Sequence, residues 1–136
     1  MEKRRLDAFQ ARCLRIFLGV KHSMISRISN ADVLARAQCR FLSSVLLERQ
    51  MLLMGDLASR PDSDILRRSV FSEGSMQLRG SNGPRGRGRP WATWAGEVFK
   101  HTVTAAGNFD SLSRLWLGMP AAKSAWQALV RQYCTS

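Results

Sequence analysis

The amino-acid sequence predicts an all-α fold, a small bundle of about five to seven short helices interrupted by a flexible Gly/Arg-rich linker. Apolar residues recur at spacings of three and four in several segments, which is the period of one helix face. No segment alternates apolar and polar residues convincingly, so no strand is predicted. The length of 136 residues and the apolar fraction of 45% suit one compact core.

The first helix is predicted from about Lys3 to Leu18, with Gly19 as a natural stop. Its apolar stripe consists of Leu6, Phe9, Cys13, Ile16 and Phe17. The basic residues that lie largely off this stripe are Arg4, Arg5, Arg12 and Arg15. The pattern therefore predicts a cationic solvent face for this helix.

Three further helices are predicted in the first half of the chain. Asn30 is expected to cap a short helix over 31–36, because its side chain can accept a hydrogen bond from a free backbone N–H. A broad apolar face predicts a longer helix over 40–54 that ends near Gly55. The segment 61–64 predicts a turn that also caps a helix over 65–71.

The segment 73–90 is rich in glycine, proline and arginine and has no apolar period, which predicts a mobile linker. It separates an N-terminal basic helical part over 1–72 from a C-terminal helical part over 91–136 that carries tryptophans. The alternative is that these parts form one domain overall.

The helical pattern resumes at Pro90 or Trp91 and is predicted to continue to about Ala105. A short helix is predicted over 109–117. Pro120 suits the first turn of the last helix.

The formal net charge of +11 comes from 21 basic and 10 acidic residues, and 17 of the basic residues are arginine. The planar guanidinium pairs with phosphate through two hydrogen bonds and stacks on bases, so this bias favours a nucleic-acid partner. Arginine-rich composition also results from GC-rich coding, and that alternative stays open.

Metal, disulfide and membrane functions are not predicted. Cys13, Cys39 and Cys134 are isolated from one another and from His22 and His101, so neither a zinc site nor a disulfide framework is expected. The cysteines indicate reduced thiols and a nuclear or cytoplasmic protein, and no apolar run approaches the length of a membrane span. We expect no cofactor and no small-molecule substrate.

The candidate nucleic-acid contacts are arginines. Those in and near the glycine-rich segment are Arg79, Arg85, Arg87 and Arg89. Those on predicted helices are Arg67, Arg68, Arg12 and Arg15. Glycine lets the backbone approach phosphate closely, so arginines between glycines are well placed for such contacts. A sharper alternative is that Arg87-Gly88-Arg89-Pro90 is an AT-hook core that binds the narrow minor groove of A·T-rich DNA.

The order of several segments resembles the region that follows the polymerase core in non-LTR (LINE-type) retrotransposon reverse transcriptases. Residues 6–20 resemble the first conserved stretch of that region, and residues 27–34 resemble its capped helix. The other matching segments are 46–57, 86–90 followed by Trp94, and 124–130 with its Trp126.

This resemblance implies a C-terminal accessory segment that helps to hold template or target nucleic acid beside the remainder of a reverse transcriptase. The Ala-Asp-Asp motif of that family is absent, and no endonuclease constellation is visible, so we expect no enzymatic activity. Two alternatives come from other classes. The chain is either a helical module whose apolar stripes dock a partner protein, or a fragment left by a decayed mobile element without a selected function.

Overall fold

The computed structural model describes residues 2–80 and 93–136, and the regular secondary structure of these residues is helical. The all-α prediction is therefore confirmed. The helices of the described ranges are α1 (Glu2–Phe17), α2 (Ser23–Ser26), α3 (Asn30–Arg36), α4 (Leu42–Ser59), α5 (Ile65–Val70), α6 (Trp94–Ala106), α7 (Phe109–Leu117) and α8 (Lys123–Thr135). None of them has the length and apolar character that crossing a membrane requires.

The chain forms two compact units, Met1–Leu47 (unit 1) and Glu48–Ser136 (unit 2). The division falls within α4, whereas the sequence suggested a division on either side of a linker over 73–90. Residues 48–72 thus group with the C-terminal helices. Residues 81–90 of the predicted linker lie outside the described ranges.

Unit 1 is built by α1 packing on α3, and its buried apolar side chains include Ala11, Val33 and Leu34. The same face of α1 holds the start of α4. Ser43 donates its N–H and its hydroxyl to the Asp7 carboxylate at 2.9 and 2.6 Å. These bonds satisfy a backbone N–H that has no partner inside the first turn of α4.

The N-cap of α3 differs from the prediction. Ser29, not Asn30, caps the helix, and its hydroxyl accepts from the Asp32 N–H at 3.1 Å. The Asp32 carboxylate in turn accepts from the Ser29 backbone, which completes a capping box. The Asn30 side chain instead accepts a hydrogen bond from Arg15.

Unit 2 is built around aromatic side chains. Trp116 of α7 lies edge-on to both Phe71 and Trp126, with ring centroids 5.9 and 5.6 Å apart. Phe99 of α6 adds a tilted contact to Trp116 at 6.2 Å. These rings, together with Met51 and Met54 of α4, form the core on which α5 to α8 assemble.

The predicted end of α4 near Gly55 is wrong. The helix continues to Ser59, because Gly55, Leu57 and Ala58 are all buried in unit 2. A Cβ atom at Gly55 would collide with Nε1 of Trp126. Gly55 therefore serves close packing of α4 against α8, and it does not end the helix.

The later helices follow the sequence closely. The predicted bounds of α7 are confirmed, and α6 ends at Ala106 with Gly107 as its C-cap, close to the predicted end at about Ala105. Thr93 caps α6, so this helix begins a few residues after the predicted start at Pro90 or Trp91. Pro120 lies in the turn before α8 and not in its first turn.

Candidate nucleic-acid interface

Arg68 and Arg79 are the predicted contact residues that the structure brings together. Arg79 donates a hydrogen bond from Nη1 to the Arg68 carbonyl at 3.0 Å, and both side chains are exposed. Together with Glu73 they line a surface cavity of about 220 Å³. Two exposed arginines and one glutamate thus line a small cavity that opens to solvent, with an excess of one positive charge.

A tight chain reversal after α5 creates this pairing. Phe71 and Leu78 form an antiparallel bridge, flanked by hydrogen bonds from Ser72 N–H to the Gln77 carbonyl and from Arg79 N–H to the Val70 carbonyl, at 2.9 and 2.8 Å. Gly74 turns the chain with a φ of +64°, a value that favours glycine. The start of the predicted linker, residues 73–80, therefore folds back onto α5.

Arg67 does not contribute to this surface. Its side chain is 5% exposed and lies over the ring of Phe71, with its central carbon 5.5 Å from the ring centroid. Nη1 pairs with Asp62 at 3.3 Å, and Nη2 donates to the Ser75 carbonyl at 3.1 Å. The expectation that Arg67 faces nucleic acid is corrected, because the residue holds the turn after α5 against α5.

Arg15 of unit 1 is likewise internal, although the sequence placed it on the solvent face of α1. It is 7% exposed, and its guanidinium donates to four oxygens of the segment that follows α1. The acceptors are the Lys21 carbonyl (3.0 Å), Ser26 Oγ (3.4 Å), the Ile28 carbonyl (2.6 Å) and Asn30 Oδ1 (3.1 Å). Arg15 therefore fixes α2 and the start of α3 against α1.

Arg12 is exposed on α1 as expected. Arg5 lies two turns before it on the same side and is also exposed. The remaining candidates, Arg85, Arg87 and Arg89, lie outside the described residues.

The carboxylates of unit 2 are largely committed to other arginines. Arg60 forms ion pairs with Asp56 and Asp64 at 3.2 and 3.3 Å. Arg131 lies 3.8 Å from Glu48. In the part of the chain that the structure describes, no carboxylate forms an ion pair with Arg68 or Arg79, so their charge remains available to an anion.

The rest of unit 2 offers little reactive chemistry. His101 shares a hydrogen bond of 2.9 Å with the Tyr133 hydroxyl, which links α6 to α8. A cavity of about 540 Å³ is lined in part by Arg60, Arg67, Ser113 and Trp116, but both arginines are already paired. Over residues 2–80 and 93–136, no three His, Cys, Asp or Glu side chains are grouped to hold a metal ion.

The chain was also compared with known proteins. No protein-family model, curated protein or solved structure matches it. The relationship to retrotransposon reverse transcriptases therefore stays a prediction from residue patterns.

The sequence analysis did not distinguish the exposed Arg68 from the buried Arg67, or the exposed Arg12 from the buried Arg15. One signal was available for the first pair. Arg67 lies four residues before the aromatic Phe71, so on a helix its side chain reaches the ring one turn on, while Arg68 points away. Arg5 belongs to the predicted cationic face of the first helix and, like Arg12, is exposed.

Proposed function

We propose that this chain is a non-catalytic nucleic-acid-binding protein that contacts the phosphate backbone through exposed arginines. One observation carries the proposal: the turn after α5 brings the exposed residues Arg68 and Arg79 together, with the Arg79 guanidinium on the Arg68 carbonyl and neither side chain in an ion pair among the described residues. Arginine pairs contact successive phosphates without reading base sequence. The net charge of +11 supplies long-range attraction to a polyanion.

The predicted Gly/Arg segment extends this site in sequence. Arg79 and Gly80 lead directly into the stretch that contains Arg85, Arg87 and Arg89. Arginines on such a stretch would add phosphate contacts beyond the pair. If the resemblance to LINE-type reverse transcriptases holds, this interface would belong to an accessory segment that supports a polymerase carried elsewhere.

The test is fluorescence-anisotropy binding of the full chain to A·T-rich duplex, G·C-rich duplex, single-stranded DNA and structured RNA over a range of salt concentrations. Changing Arg68 and Arg79 to Ala should weaken binding to every probe. It should also reduce the magnitude of the slope of log K against log salt by about 2, because each phosphate contact contributes close to one unit. The matched control changes Lys100 and Arg114, two exposed cations of α6 and α7, to Ala.

The control variant with Ala at Lys100 and Arg114 should keep most of the slope of log K against log salt. An equal loss in the two double variants would show that only overall charge matters and would contradict the proposed site. A triple variant with Ala at Arg85, Arg87 and Arg89 tests the glycine-rich segment. A preference for A·T duplex that this triple variant abolishes would support the AT-hook alternative instead.

A further inference from the structure

The predicted apolar stripe of α1 is exposed at Phe9, Ile16 and Phe17 and half-buried at Leu6 and Cys13. Phe9, Ile16 and Phe17 are 61%, 77% and 86% exposed, whereas Ala11 and Arg15 on the other side of the helix are buried. Unit 1 therefore packs α1 through the face opposite its apolar stripe. Large apolar side chains left uncovered along one helix indicate an interaction surface.

The stripe has the spacing of a coiled-coil seam. Leu6, Phe9, Cys13 and Ile16 follow one another at intervals of three, four and three, as residues at positions a and d of a heptad do. Arg5 and Arg12 then fall at the two g positions beside the seam, and both are exposed. In coiled coils these flanking positions select the partner by charge.

The charge pattern argues against a second copy of this chain as the partner. In an antiparallel pair the g-position arginines would face each other, and in a parallel pair they would face Gln10 and Phe17. The acidic side chains described in unit 1, Asp7 and Asp32, are both held by serines of the unit. Neither of these two carboxylates is therefore available to pair with the g-position arginines of a second copy.

The same pattern disfavours nucleic acid and lipid at this face. A phosphate backbone would use Arg5 and Arg12, and a base could stack on the exposed ring of Phe9, but the aliphatic Ile16 would stay uncovered, since it gives no stacking surface to bases. A bilayer surface favours a helix whose opposite face is free in water, whereas Ala11 and Arg15 on the opposite face of α1 are buried.

We infer that the seam of α1, formed by Leu6, Phe9, Cys13 and Ile16 and flanked by Arg5 and Arg12, docks an amphipathic helix of a partner protein that carries acidic residues beside its own apolar seam. The partner helix would cover the exposed rings and methyl groups, and its carboxylates would pair with the two arginines. The seam runs from Leu6 to Ile16, which gives a contact about 15 Å long, roughly one and a half heptads. This surface is separate in sequence from the Arg68 and Arg79 site.

The test uses the full chain and a fluorescein-labelled synthetic helix of three heptads with Leu at a and d and Glu at e and g. The Glu-flanked helix should bind more tightly than a matched helix with Lys at the same positions. Ile16→Asp should weaken binding by about tenfold or more, because an apolar side chain that is covered by the partner contributes on the order of 1.5 kcal/mol or more. Ile16 is exposed, so circular dichroism should show an unchanged helix content.

Charge reversal provides the second arm. Replacing both Arg5 and Arg12 by Glu should switch the preference to the Lys-flanked helix, a result that unfolding cannot produce. Arg4→Glu is the control, because Arg4 is exposed at an f position away from the seam and should change the affinity by less than about twofold.

Equal binding of the two helices, or an Ile16→Asp variant that binds as tightly as the parent, would overturn the inference. So would an Arg4→Glu variant that loses as much affinity as Arg12→Glu. Single-stranded DNA and vesicles containing phosphatidylserine are included as probes. If either binds in an Ile16-dependent way while the Glu-flanked helix does not bind, the surface serves that class of ligand instead. Failure of the Arg68 and Arg79 test would leave these outcomes unaffected.

Discussion

Units 1 and 2 bury different kinds of side chain. Unit 2 encloses Phe71, Trp116 and Trp126 together with two methionines, each 1% exposed or less. Unit 1 buries the aliphatic residues Ala11, Val33 and Leu34 together with Arg15, which donates hydrogen bonds to four neighbouring oxygens. Unit 2 also buries an arginine, Arg67, but beside an aromatic core. Burial of apolar surface stabilises a fold whatever the relative orientation of the apolar groups, whereas a hydrogen bond requires a defined distance and angle between donor and acceptor.

This contrast bears on the apolar face of α1, although unit 2 also exposes large apolar side chains such as Ile65 and Leu117. In unit 1 the contact between α1 and α3 is formed by Ala11, Val33 and Leu34 and by hydrogen bonds. The exposed large apolar residues of α1 do not take part in this core. Phe9, Ile16 and Phe17 can then face outward. A small core that relies on polar bonds thus leaves an apolar surface available for a partner.

The largest effect is expected in unit 2. Trp116→Ala should lower the free energy of unfolding by about 4 kcal/mol, because it removes the ring that contacts Phe71, Phe99 and Trp126 and leaves a cavity. Urea unfolding followed by circular dichroism measures the change. Tryptophan fluorescence follows unit 2 alone, since every tryptophan lies after residue 48.

The control is Trp94→Ala. Trp94 is 40% exposed at the start of α6, so its loss should cost well under half as much. Equal destabilisation by the two variants would contradict the aromatic core of unit 2. Hydrogen exchange should show the loss of protection from Trp116→Ala mainly in residues 48–136.

A smaller effect is expected from Arg15 in unit 1. Arg15→Ala should lower the free energy of unfolding by about 2 kcal/mol, because several part-buried acceptors lose a charged donor. Arg15→Lys should recover little of it, since one ammonium group cannot reach acceptors spread over 21–30. Hydrogen exchange of the amides in 21–30 should accelerate in both variants.

Arg12→Ala is the matched control, on the same helix and exposed. It should change the free energy of unfolding by about 0.5 kcal/mol or less. If Arg12→Ala accelerates exchange in 21–30 as much as Arg15→Ala does, the contrast between a buried and an exposed arginine is wrong.

Local signals in the sequence were sufficient for most helices. Asp64 caps α5 as the turn over 61–64 predicted, and the span of α7 follows its apolar spacing. These features depend on neighbours within a few residues. The role of Gly55 depends on a residue far away in sequence, because the indole of Trp126 lies against it. From its sequence neighbours alone, a glycine at this position predicts the end of a helix.

The candidate site was less predictable for the same reason. The sequence predicted that arginines contact nucleic acid, but it did not show which arginines are buried in the fold. Arg15 is buried because carbonyl groups of the loop after α1 converge on it. Arg68 and Arg79 meet because the chain reverses at Gly74. Both arrangements require the folded positions of residues that are separated along the chain.

The smallest effect concerns the response of unit 1 to acid. The Ser29 hydroxyl, and then its backbone N–H, donate to the Asp32 carboxylate and hold the pKa of Asp32 below its ordinary value of 3.8. A depressed pKa in the folded state means that this stabilisation is present above 3.8 and is lost as the pH falls through the lower, folded-state value. The protection of the α3 amides against hydrogen exchange, relative to the intrinsic rate at each pH, should therefore fall below about pH 3.8.

Asp32→Asn should remove this acid dependence, because the amide keeps a capping oxygen but carries no proton-linked charge. Asp110→Asn is the control, since Asp110 is exposed in the first turn of α7 and should not alter exchange in α3. An acid response of α3 that persists unchanged in Asp32→Asn would show that another group titrates there. Loss of the acid response in Asp32→Asn would assign that response to the capping box of α3. Unit 2 differs in this respect, because the carboxylates of Asp56 and Asp64 form ion pairs with Arg60.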